Sequence, residues 1–155
     1  MRRIVVSFCF ALMAAMSAQA GDFVSQTKSG SFDDVRFELG NAIVTRGLNV
    51  HSEGNLEAMM RRTGADVGSS VVVYKNAQFV QFCSALLSRK LAEIDPITMG
   101  YCPFGVFVYE TAAKPGEIVV GYRRLASTSP SESALDKAKA NVDALLAGIV
   151  ADAVK

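Results

Sequence analysis

The stretch V-Q-F-C-S-A-L-L-S-R-K-L-A-E-I-D-P-I-T-M-G-Y-C-P-F-G-V-F-V-Y-E, from Val80 to Glu110, carries most of the fold. It opens on the end of an apolar strand. From Ser84 the period becomes helical: Leu86, Leu87, Leu91 and Ile94 fall on one face, with Ser88, Arg89, Lys90 and Glu93 away from it. Pro96 ends that helix at or before Asp95, because a proline disfavours helical geometry in the residue before it. Phe104 to Tyr109 then runs apolar on both faces, which predicts a central strand.

Downstream, Lys114-Pro115-Gly116-Glu117 is a turn and Ile118 to Tyr122 the returning strand, so the two form a hairpin. Ser129-Pro130-Ser131-Glu132 has the composition of a helix start. The long C-terminal helix that follows places Leu135, Ala138, Val142, Leu145, Leu146, Ile149, Val150 and Ala153 on its inner side. Upstream, Ala77 to Phe82 is a strand, Lys75-Asn76 a turn, and Val71 to Tyr74 β-prone. Residues 63–70, T-G-A-D-V-G-S-S, are a loop by composition.

The first half reads the same way. Asp22 to Lys28 is an edge strand. Ser31 caps a helix with Asp34 in the capping-box position, and Phe32, Val35, Leu39, Ala42 and Ile43 form its core face. Gly47 stops it. Leu48 to Ser52 is a short strand with His51 on its polar side. Asn55 caps a second helix carrying Leu56, Met59 and Met60, with Arg61 and Arg62 in its last turn and Gly64 at its end. Strands and helices mix without strict alternation. The expected fold is α+β: a mixed or antiparallel sheet of about four to six strands with helices packed on it.

Residues 1–20 have the three parts of a secretory signal: Arg2-Arg3, an apolar run from Ile4 to Met16, and Ala18-Gln19-Ala20 as a cleavage site. The run is shorter than the roughly 20 residues a spanning helix needs. Cleavage after Ala20 and export to the periplasm are expected, leaving residues 21–155 as one domain with no transmembrane segment. Without the leader, 14 Lys and Arg face 15 Asp and Glu. That balance offers no electrostatic footprint for nucleic acid.

The reactive inventory is thin. Only His51 is available as an imidazole base, and no nucleophile elbow, phosphate loop or dinucleotide fingerprint is present. The spacing supplies no four-ligand zinc set and names no cofactor. Cys9 leaves with the leader, so Cys83 and Cys102 remain, 19 residues apart. Four readings of that pair stand open: buried thiols, a structural disulfide, a soft-metal or ligand site with help from Met99, Met59, Met60 or His51, and a thiol-redox pair. Sheet orientation decides whether the two meet. Tyr101, Phe104, Phe107 and Tyr109 flank Cys102, and such an aromatic group lines either an apolar pocket or the core. Cys83, Cys102, Tyr101, Phe104 and Tyr109 are the candidate ligand-binding residues. Arg123-Arg124 ends the hairpin, as an anion site or a solvated strand end.

Several of these segments together resemble the DUF302 family. They are F-x-x-V at Phe32–Val35, F-C-S-A at Phe82–Ala85, Asp95-Pro96, C-P-F-x-V-x-V-Y-E at Cys102–Glu110, and V-G-Y-R-R at Val120–Arg124. The resemblance runs from about Phe23 to Leu125. Many members carry a P-C-R-like order at the second cysteine, whereas this chain has Cys102-Pro103 with no arginine following. The resemblance implies a compact α+β domain and a homodimer, and it implies no activity. The expected role is non-enzymatic binding of a small ligand or partner, with thiol-based redox or soft-metal binding through Cys83 and Cys102 as the alternative.

Overall fold

A computed structural model describes residues 19–126 and 131–155. Its strands are β1 (Gln19–Ala20), β2 (Phe23–Ser29), β3 (Val50–Asn55), β4 (Tyr74–Phe82), β5 (Phe104–Thr111) and β6 (Glu117–Arg123). Its α-helices are α1 (Phe32–Val44), α2 (Leu56–Thr63), α3 (Ala85–Ile94) and α4 (Ala134–Ala153), and short 3-10 turns cover Ala65–Val67 and Pro96–Tyr101. The sheet has the order β1-β2-β6-β5-β4-β3 and every pairing is antiparallel. The α+β expectation holds, with β5 central as its sequence predicts and β2 bordered on its outer side by the two-residue β1.

Alternation along the strands decides where the core lies. Successive side chains in a strand point to opposite faces. Val80 and Phe82 of β4, Phe104, Val106 and Val108 of β5, and Ile118, Val120 and Tyr122 of β6 all point to one face and are buried. The helices α1, α3 and α4 cover that face. α1 contributes Phe32, Val35, Leu39, Ala42 and Ile43 at helical spacing, and α4 contributes Val142, Leu146, Ile149, Val150 and Ala153. Each fully buried Leu, Ile, Val or Phe stabilises the fold by about 1.5–3 kcal/mol relative to exposure.

Caps fix the helix starts. The side chains of Ser31, Asn55 and Ser84 accept the backbone N–H of Asp34, Ala58 and Leu87 respectively. At the end of α1, Gly47 takes a left-handed conformation, φ 72°, which turns the chain toward β3. Where β6 ends, Asp143 of α4 accepts from the backbone N–H groups of Leu125 (2.8 Å) and Ala126 (2.9 Å). One carboxylate thus ties the sheet's last turn to the helix layer.

Several expectations are corrected. Lys75-Asn76 is no turn: both residues lie inside β4, at a register shift between Tyr74 and Asn76. Their polar ends are drawn to Glu110, which is 3% exposed and accepts from Lys75 Nζ (3.1 Å), Asn76 Nδ2 (2.8 Å) and the Gly116 backbone N–H (2.6 Å). Val71 to Val73 stay outside the strand and exposed. β3 begins and ends later than Leu48–Ser52, running into the Asn55 cap. On α3 the buried stripe is narrow, through Leu87 and Leu91. Leu86, about 140° round the helix from Leu91, is exposed, as is Ile94 in the last turn. The start of α4 falls at Ser133, whose hydroxyl accepts from the Asp136 N–H. The cap expected at Ser129, with Pro130, lies outside the described residues.

β5 is covered on one face only. Its other face, with Gly105, Phe107 and Tyr109, carries no layer of core helices, although its apolar composition predicts burial on both. Residues 1–18, with most of the leader, lie outside the described residues. Among the described residues no helix is long and apolar enough to cross a membrane.

Glu110 links stability to pH. Hydrogen bonds from the Gly116 N–H and then the Asn76 amide hold its carboxyl below the ordinary carboxylate pKa. A depressed folded-state pKa adds stability that is present above the unfolded value and lost as pH falls through the folded one. Glu110→Gln is expected to cost about 1–3 kcal/mol at neutral pH, the price of losing hydrogen bonds to a buried charge. Urea unfolding measured from neutral pH down into the acid range should show the gap between variant and native protein narrowing. A gap that is constant with pH would contradict this role.

Candidate functional site

The cysteine question is answered by strand orientation. β5 returns antiparallel beside β4, with Phe82 opposite Phe104. The end of β4 and the start of β5 therefore lie at the same edge, and the α3 excursion leaves and rejoins there. Cys83 and Cys102 meet just beyond the Phe82–Phe104 pair as a disulfide, with Cα atoms 5.9 Å apart. The buried-thiol reading is thereby corrected. A bonded pair also presents no thiolate to a metal. Among the described residues no group of three or more His, Cys, Asp or Glu could hold an ion. His51 is exposed on the edge strand β3.

The candidate residues do not converge. Cys83 and Cys102 mark one end of the β4–β5 ladder. Tyr101 is half-buried against the core, with Lys139 Nζ 5.5 Å from its ring centroid. Phe104 faces the helices, is 1% exposed and packs edge-to-face on Phe82. It is core and lines no pocket. Tyr109 stands on the opposite face, toward the other end of the strand. Parity explains the split: Phe104 and Tyr109 are five residues apart, and an odd separation puts them on opposite faces. Arg123 is exposed at its strand end.

Tyr109 belongs to a different constellation. The open face of the sheet holds a groove of about 640 Å³ lined by Phe23, Ser25, Leu56, Tyr74, Ala77, Gln78, Phe79, Phe107, Val108 and Tyr109. Four rings run across it as a chain of contacts. Phe23 meets Phe107 edge-to-face at 6.1 Å, Phe107 stacks on Tyr109 at 6.1 Å, and Tyr74 meets Tyr109 edge-to-face at 5.5 Å. No lining residue is charged. Burial, and then the neighbouring Tyr74, push the Tyr109 hydroxyl above its ordinary pKa, so it stays a neutral donor.

Two glycines shape this surface. Gly54 sits under the Phe79 ring and Gly121 under the Phe107 ring. A Cβ at position 54 would meet Phe79 Cζ at 2.0 Å, and one at 121 would meet Phe107 Cζ at 2.6 Å. Rings laid over cross-strand glycines shield backbone that would otherwise be bare. From the sequence, Phe79, Phe23, Tyr74 and Ala77 were not candidates. The available signal was the alternation of Phe107 and Tyr109 with core valines, together with glycines placed inside strand patterns.

With this geometry in view, comparison with known proteins bears on the fold. A family model described as a domain of unknown function, DUF302, matches residues 24–153. Among solved structures, the crystal structure of an uncharacterised conserved DUF302 protein from Bacillus stearothermophilus superposes with a TM-score of 0.68 at 13% identity. The match covers 88% of this chain and 100% of that one. At that identity the likeness speaks for fold alone. No curated protein matches the chain. β3 to β6, all but the first residue of β2, the helix layer and the family motifs lie within the matched span: the chain belongs to the DUF302 family.

Proposed function

We propose that this chain is an exported, non-enzymatic binding domain that holds a small, uncharged, largely apolar ligand in the groove on the open face of its sheet. The groove itself carries this reading. Its size lies within the ~300–1,000 Å³ of ordinary ligand pockets, and its aromatic lining with a few polar groups matches their composition. Ser25, Tyr74 and Tyr109 supply side-chain polarity, and nothing charged is present to favour an ionic ligand. The leader supports export to the periplasm, and a disulfide suits an oxidising compartment.

The Cys83–Cys102 bond is read as a staple for the α3 excursion. In the chain-entropy model, closing a loop of this size stabilises by roughly 3 kcal/mol. Redox or soft-metal chemistry at this pair would need the bond opened, and no group of three or more His, Cys, Asp or Glu gathers there among the described residues.

Four measurements check this reading. Protein recovered from a periplasmic extract should begin at Gly21 on N-terminal sequencing, and an intact Met1 would count against export. Native and denatured protein should show no reactive thiol without reductant. The double variant Cys83→Ser/Cys102→Ser should unfold with about 2–4 kcal/mol less stability. Finally, mature protein screened by thermal shift against uncharged apolar compounds should gain several degrees with at least one, since a ligand at 100 times its Kd stabilises by about 2.7 kcal/mol. A panel with no shift would remove the binding reading.

A further inference from the structure

The groove's own floor points to the class of ligand, an inference that rests on the binding reading above. One row of the sheet runs Gly54, Phe79, Phe107, Gly121 across β3, β4, β5 and β6, each directly opposite the next. Phe79 and Phe107 are thus cross-strand partners. Partners of this kind have Cβ atoms close enough for two aromatic side chains to pack against each other. Here each ring lies instead over the glycine on its outer side, Phe79 toward β3 and Phe107 toward β6. The two rings splay apart and leave a slot above the middle of the β4–β5 ladder.

The ends of the slot differ. On one side the next row is Ala77 opposite Tyr109, where a methyl group keeps the floor low and the tyrosine ring continues the Phe107 wall. On the other side the row is Gln81 opposite Gly105. Nothing lies within 4 Å of where a Gly105 Cβ would be, so the slot is open there. Gln81 is turned to a neighbour, its Oε1 accepting from the Ser52 hydroxyl at 2.8 Å. The slot is bounded by ring carbons on both sides and free of charge. Aromatic rings favour offset-stacked or edge-to-face neighbours, and a buried ion without a partner is strongly disfavoured.

We propose that the slot between Phe79 and Phe107 takes a flat, uncharged aromatic group, and that Gly54 and Gly121 set its width by letting the rings lie outward. Gly54 is the more testable of the two. The three atoms an added methyl there meets first all belong to the end of the half-exposed Phe79 ring, which must swing back toward Phe107. At Gly121 a methyl also meets the Val24 carbonyl oxygen at 2.6 Å, so backbone would have to shift.

The experiment is a fluorescence titration of mature protein with N-phenyl-1-naphthylamine, a neutral probe carrying a flat naphthyl ring, with 1-dodecanol as a linear competitor. Saturable binding of one probe per chain is expected. Gly54→Ala, which closes the slot, and Gly105→Leu, which fills its open mouth, are each expected to weaken binding at least tenfold. Their circular dichroism and unfolding midpoints establish that both fold. Binding unchanged in both variants, or dodecanol binding more tightly than the aromatic probe, would overturn the aromatic slot while leaving the groove as an apolar site. Failure of probe and dodecanol alike, with no thermal shift from any apolar compound, would overturn the slot and the binding reading together. A dimer in sedimentation that Phe79→Asp converts to monomer would give this face to a second copy and also overturn the proposal.

Discussion

The antiparallel ladder between β4 and β5 is the constraint on which the rest of this structure depends. It brings the end of one strand to the start of the next across a helix and a 3-10 turn. The two cysteines can then bond, and the excursion between them is closed at its base. The same ladder places Phe82 against Phe104 under the helices. At its far end it brings Lys75 and Asn76 to the Glu110 carboxylate. That carboxylate also accepts from Gly116 in the β5–β6 turn, so one buried acid joins three segments. A parallel return would have put the two cysteines at opposite edges of the sheet and left Glu110 without these partners.

The ladder also divides its residues between two environments. Side chains on one face meet α1, α3 and α4 and form the core. Those on the other face meet no such layer. An antiparallel sheet tolerates this arrangement, because one face can be solvated while the other is packed. What is unusual is the composition of the open face, where Phe23, Phe79, Phe107, Tyr109 and Tyr74 stand where polar residues are common. Gly54 and Gly121 give two of these rings a place to lie. The outcome is a groove built from backbone and rings, mostly on the strands of the sheet instead of on loops. A site on strands is held more firmly than a site on loops.

Much of the architecture was legible from local pattern. The core face of α1, the inner side of α4, the Asn55 cap and the β5–β6 hairpin follow from periodicity and turn chemistry, which act over a few residues. The misreadings share a cause. Lys75-Asn76 looks like a turn until a buried acid from another strand draws both residues into β4. Phe104 and Tyr109 look like one aromatic cluster until strand parity separates them. Phe107 and Tyr109 look buried because apolar residues on both faces of a strand usually are. In each case what decides is how the strand sits in the sheet, its partners or its two faces, and local composition does not show that.

The sequence by itself determined most of the elements, the core faces of α1 and α4 and the family, since spacing and composition along the chain encode them. It also held the leader pattern from which export is inferred. Only the tertiary structure decided which strands are neighbours, that Cys83 and Cys102 bond, and that one face of the sheet stays open. Those outcomes depend on strand order and direction. A local pattern is the same whichever strand lies beside it, so the pairing of Gly54 with Phe79, and of Phe107 with Gly121, exists only once the sheet has formed.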